Sequence, residues 1–189
     1  MNDEYVIVLN DKDPHLRAKS ADVKTPLSKK DQKVMEGLIK YITDSRDPEK
    51  AEKYNLQPAS GLAAPQIGVN KKMIAVIIEA DNEDGESKFQ VTALVNPKIT
   101  SYSEQYSYLE NGEGCLSVQE EHQGYVPRHA RITVEAYDYF QKKKVSFRAR
   151  GYYAIVLQHE IDHLNGILFY DHINAQDPWH EIKDAIVIE

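Results

Sequence analysis

Apolar residues recur along this 189-residue chain in two rhythms, one helical and one alternating. After Ser28 the rhythm is helical: Val34, Met35, Leu38, Ile39 and Ile42 form one stripe. Ser28, with Asp31 three residues on, reads as the capping box that starts this helix. Asp47-Pro48 ends it or opens a short second turn. Residues 57–69, "QPASGLAAPQIGV", are rich in Pro, Gly and small residues and predict an irregular segment leading into a strand. "MIAVIIEA", 73–80, is that strand, and the acidic "DNEDGES" after it is a turn. A second strand is expected over 89–96, stopped by Asn96-Pro97, and one or two more over 99–108. Residues 132–139 and 145–150 predict a strand pair joined by "FQKKK", with Val145, Phe147 and Ala149 alternating in the second. Residues 152–165 predict a helix with Gly166 as its stop. "ILFYDHI" predicts a short final strand, and a weak helix is expected around Trp179.

These elements predict an α+β fold in which mostly antiparallel strands pack around the 152–165 helix, with residues 1–189 as a single domain. The net charge of −7 argues against nucleic-acid binding. Lys29-Lys30 and Lys142-Lys143-Lys144 read as solvated clusters. "MNDEYVIVLND" lacks the basic start and apolar run of a signal peptide, and no stretch is apolar enough to span a membrane, so the cytoplasm is the expected compartment. The lone Cys115 rules out an internal disulfide.

The predicted 152–165 helix carries the chemistry. It contains His159-Glu160-Ile161-Asp162-His163, an H-E-x-x-H pattern. At about 100° per residue, His163 falls roughly 40° from His159, one turn along, so both imidazoles can reach one ion. Glu160 falls beside that face, where a base can meet water without ligating the metal. Tyr152, Ile155 and Val156 flank the histidine line and can wall an apolar pocket. Ala154, Leu157, Ile161 and Leu164 point to the far side, so the helix is apolar on both sides and central.

An open catalytic site needs a third protein ligand. A common continuation of the motif would place it at residue 169, but Phe169 cannot bind metal. Glu181 and Asp171 are downstream oxygen candidates, giving a zinc peptidase. Cys115 is the softest candidate, and a thiolate with two imidazoles favours zinc or iron(II) over magnesium or calcium. Glu113 is placed to accept from a ligand histidine. A non-catalytic metal- or peptide-binding module, which would not need Glu160, is the other reading.

Three segments in order, "SGLAAPQIG", "EGCLSV" and "QHEIDHLNG", resemble the signature motifs of peptide deformylases. The likeness extends to "VNPKI", "GYVPRHARITVEAYD" and "FYDHI", and the long loop between the first two motifs is similar to the Gram-positive branch. The resemblance implies hydrolysis of the N-formyl group from the N-terminal formylmethionine of nascent polypeptides, releasing formate. It implies iron(II), replaceable by nickel, cobalt or zinc, on Cys115, His159 and His163, with Glu160 as general acid and base. The Gln66 side chain and the Leu116 backbone N–H would be the oxyanion donors, and Gly61 would contact the substrate. Tyr152, Ile155 and Val156 would then hold the methionine side chain. A monomer is expected, and ribosome association stays open because no distinct docking tail follows "DAIVIE". One departure stands out: where the family motif usually reads G-x-G-L-A-A-P-Q, this chain has Ala59 and Ser60 before Gly61.

Overall fold

The computed structural model describes residues 4–81 and 84–189. The predicted turn at 81–87 therefore falls partly outside the described residues, at Asn82 and Glu83. Five strands form an antiparallel sheet in the order β1 (Gly61–Ala63), β2 (Met73–Asp81), β3 (Ser87–Tyr102), β6 (Arg131–Asp138), β7 (Lys143–Arg150). A smaller sheet has the order β5 (Arg128–His129), β4 (Tyr106–Leu109), β8 (Ile186–Ile188), with β4 and β8 parallel. Helices α1 (Lys29–Asp44), α2 (Pro48–Tyr54) and α3 (Gly151–Leu164) complete an α+β fold. Among the described residues no helix is long and apolar enough to cross a membrane.

Strand β2 explains the arrangement. Successive side chains of a strand point to opposite faces. Met73, Ala75 and Ile77 join one core with Met35, Leu38 and Ile42 of α1. Ile74 and Val76 join a second core with Ala154, Leu157, Ile161 and Leu164 of α3. Both faces of β2 are covered, so its sequence is a continuous apolar run. Each fully buried Leu or Ile in these cores contributes about 1.5–3 kcal/mol.

Local chemistry sets the ends of both helices. Ser28 accepts from the Asp31 N–H at 3.1 Å, while the Asp31 carboxylate turns to Lys71 at 2.6 Å. Helix α3 closes on a Schellman motif: Gly166 N–H bonds to His163 O and Ile167 N–H to Asp162 O. Gly166 sits at φ +70°, and a Cβ there would run into the Arg17 backbone.

Four expectations are corrected. Asn96-Pro97 does not stop the strand; β3 runs on to Tyr102 through a bulge between Val95 and Lys98. Asn96 tolerates φ 52°, its amide bonds both Val23 backbone groups, and Pro97 needs no ladder partner in a bulge. The irregular 57–69 segment contains β1 and a 3₁₀ turn, Ala64–Ile67, because Gly61–Ala63 pair with Ile74–Val76. "ILFYDHI" forms a 3₁₀ turn, Phe169–His172, held by Asp171 Oδ2 accepting the Leu168 N–H at 2.9 Å. No helix forms around Trp179: the Pro178 carbonyl is taken by the Tyr125 N–H at 2.8 Å, and Trp179 packs edge-on against Tyr125.

Candidate metal centre and reaction cavity

Helix α3 sets His159 and His163 one turn apart, with ring centroids 5.1 Å from each other. The loop after β4 brings Cys115 over them, and its Sγ lies 3.4 Å from His163 Nε2. One donor atom from each of the three lies within 4.8 Å of the others. Neither alternative third ligand joins this group: Asp171 pairs with Arg17 at 2.6 Å, and Glu181 is exposed.

The donor set fits a borderline-soft divalent ion. His159 Nδ1 is bonded to Glu113 Oε1 at 2.8 Å, which leaves Nε2 for the site. Burial lowers the His163 pKa well below the usual value, and the nearby His159 and Arg128 charges add to this, so its imidazole is the neutral, metal-binding form. Burial opposes a proton on His159, but Cys115 and Glu113 accept from it and raise its pKa.

Behind the histidines lies a buried ion network. Arg128, 3% exposed, bonds Glu113 twice, at 2.8 and 2.9 Å, and Asp162 at 2.6 Å. Asp162 also meets His172 at 2.8 Å. Burial alone would raise the Glu113 carboxyl, but Arg128 and His159 hold it down at about 2. The placement of Glu113 beside a histidine was legible in the sequence. Arg128 and Asp162 were not: "VPRHARI" has no periodicity that sets one arginine apart, and the motif gives Asp162 no assigned partner.

Glu160 is buried, and among the described residues its Oε2 has no partner. Burial pushes its carboxyl up to about 7, against the pull of His159 and Arg128. A Cβ at Gly61 would lie 2.6 Å from Glu160 Oε1, so strand β1 approaches the carboxylate as closely as only glycine permits. Gln66 is locked: its Oε1 accepts the Ala63 N–H at 2.9 Å, which turns Nε2 toward Ser117 Oγ at 3.1 Å and Cys115 Sγ at 3.5 Å. Among the described residues nothing accepts from the Leu116 N–H beside it. Gly61, Gln66, Cys115, Leu116, Tyr152, Ile155, Val156, His159 and Glu160 all line one cavity of about 300 Å³. His163 is not part of this lining; it is buried, 1% exposed, and meets the site through Cys115 Sγ. Ala59, where the family motif has glycine, has no positive φ and needs none.

A family model described as polypeptide deformylase matches residues 6–179. The chain belongs to the polypeptide deformylase family. These are metal-dependent hydrolases that remove the N-formyl group from nascent polypeptides, and this chain is one of them. It is 49% identical over 182 residues to a peptide deformylase of Levilactobacillus brevis, covering 96% of this chain and 97% of that one. It is 46% identical to peptide deformylase 2 of Bacillus subtilis, covering 96% of each. The fold is similar to the peptide deformylase of Thermus thermophilus, with a TM-score of 0.69 and 29% identity over 92% of this chain and 88% of that one. It is also similar to a class I type b enzyme of Acinetobacter baumannii bound to Met-Ala-Ser, with a TM-score of 0.68 and 27% identity over 89% and 98%.

Proposed function

We propose that deformylation in this chain runs in the cavity between β1 and α3, with iron(II) held by Cys115, His159 and His163. Nickel, cobalt or zinc would fit the same donors. When bound, the ion supplies Lewis acidity and lowers the pKa of a water toward neutrality. Glu160 takes the water proton and delivers it to the leaving amine as the formyl C–N bond breaks, and the water oxygen leaves in formate. Gln66 Nε2 and the Leu116 N–H donate to the formyl oxygen as it gains charge; one such donor can be worth about 3 kcal/mol. Tyr152, Ile155 and Val156 hold the methionine side chain. Gly61 leaves room for the substrate backbone beside Glu160.

The observation that carries this reading is the unpartnered, buried Glu160 carboxylate set beside three soft donors. A buried carboxylate without a partner is costly, and a proton-transfer role accounts for it. The reading also makes the whole chain one catalytic domain, working as a monomer of about 21.6 kDa in the cytoplasm, where nascent chains start. Ribosome association is not needed for the chemistry.

The test is formate release from formyl-Met-Ala-Ser on protein purified anaerobically, with metal analysis. Iron at one per chain and activity lost in air are expected. Cys115→Ala should abolish both bound metal and turnover. Full metal content and turnover in that variant would refute the assignment.

A further inference from the structure

Arg46 is a half-buried cation at the lip of the reaction cavity. It follows α1 and reaches the strand that carries Gly61. Its Nε donates to Ala59 O at 3.0 Å and its Nη2 to Ser60 Oγ at 2.8 Å. Ser60 Oγ in turn lies 2.6 Å from the Tyr152 hydroxyl. A guanidinium has five N–H donors, and these contacts use two. Among the described residues no carboxylate forms an ion pair with it. Of the acids near it in sequence, Asp44 holds Lys40 and Lys50, and Asp47 caps α2 through the Glu49 and Lys50 N–H groups. An unneutralised, partly desolvated arginine in a chain of net charge −7 is out of keeping with its surroundings. The planar fork is suited to a carboxylate.

We propose that Arg46 is a specificity-determining residue that receives a carboxylate from the substrate just downstream of formylmethionine. The enzyme would then favour acidic over basic chain starts. This rests on the deformylase assignment of the cavity. The reach is set by the backbone. Gly61 abuts Glu160, Ser60 is one Cα step or about 3.8 Å further, and Arg46 is one hydrogen bond beyond. An extended peptide advances roughly 3.5 Å per residue, so the second and third substrate residues come within range. The Phe89 ring lies 5.9 Å from the guanidinium carbon, and the three remaining N–H groups have no hydrogen-bond partner among the described residues, which leaves them for a group entering the cavity that Arg46 lines.

The competing role is a loop anchor that only holds Ala59 and Ser60 in place. Removing an anchor slows every substrate alike, whereas removing a charge selector changes their ratio. The experiment measures kcat/KM at low salt for the amidated peptides formyl-Met-Ser-Glu and formyl-Met-Glu-Ser and their Lys and Gln counterparts. A Glu-to-Lys ratio of about five-fold is expected, in line with a partly exposed ion pair. R46K should keep the preference, R46Q should bring the ratio to near one, and R46E should reverse it. High salt should compress the ratio of the unmodified enzyme. A ratio of one in the unmodified enzyme, or a ratio that R46Q and R46E leave unchanged, overturns the proposal. If R46Q fails to fold, the ratio and salt response of the unmodified enzyme still decide. The neutral Gln peptides separate the two claims. If they release no formate, the cavity assignment fails; if they are turned over while the ratios stay flat, only the role of Arg46 does.

Discussion

Helices α1 and α3 pack on opposite faces of one strand, yet they bury different things. Helix α1 buries an apolar stripe and keeps its charges paired: Asp31 with Lys71, and Asp44 with Lys40, Lys50 and Tyr5. Helix α3 is covered on both sides and buries Gln158, Glu160 and His163. Gln158 is satisfied by the backbone of His129 and Ala154, but Glu160 Oε2 and His163 Nδ1 have no partner among the described residues. Every buried charge of α1 has its counterion, as stability requires. The unpaired atoms of α3 gather beside the cavity where we place the reaction, and that is where local rules are expected to give way to function.

The largest effect is expected at Glu160. Glu160→Gln keeps the shape of the side chain and removes the proposed base. A fall of about 10²–10⁴ in kcat is expected with metal content unchanged. Steady-state formate release with metal analysis reads both, and near-normal kcat would remove the distinction between the helices. The reverse case is Leu38→Ala in α1. It should cost about 2–5 kcal/mol in urea unfolding while activity per folded molecule stays the same. A loss of kcat without a loss of stability would show that α1 shapes the site.

Glu113→Gln acts from behind the histidines. It removes the charge that orients His159 and pairs Arg128. A 10–100-fold loss of metal affinity is expected, read by chelator competition. Unchanged affinity would make the Arg128 network purely structural. The smallest effect is at Asp44. Burial alone would raise its carboxyl, but Lys40, Lys50 and Tyr5 hold it at about 2, below the usual 3.8. A carboxyl lowered on folding stabilises above its unfolded pKa and loses that contribution as pH falls through the folded one. Asp44→Asn should therefore cost about 1 kcal/mol above pH 4, after allowance for its half-exposed lysines, with the cost shrinking as pH falls and gone only well below pH 2. A difference independent of pH would rule out the ion pairs as its source.

The same contrast explains what could be read without coordinates. Periodicity marks α1, β2 and α3, because each buries a regular stripe or run. It also orders α3 around its axis: Tyr152, Ile155, His159 and Glu160 face the cavity and Ala154, Leu157, Ile161 and Leu164 face the core, while Val156 touches both. Where the structure departs from expectation, single hydrogen bonds decided. The Asn96 amide carries β3 through its bulge, Asp171 coils a segment that alternates like a strand, and Tyr125 claims the Pro178 carbonyl. Arg128 was hidden for a related reason. Its partners, Glu113 and Asp162, are remote in sequence, and no local pattern signals a contact that only the folded chain makes.

The Schellman end of α3 has a consequence for how the protein comes into being. Arg17 reaches the Gly166 carbonyl across 149 residues, and the Ser20 N–H bonds the Leu164 carbonyl. Contacts so distant along the chain are slow to form, because a long loop must close before they repay its entropy. During synthesis the segment around Arg17 emerges early; residues 66–72 give it its first partners, and the end of α3 supplies the last only much later. The histidine helix is thus sealed only when most of the polypeptide has been made.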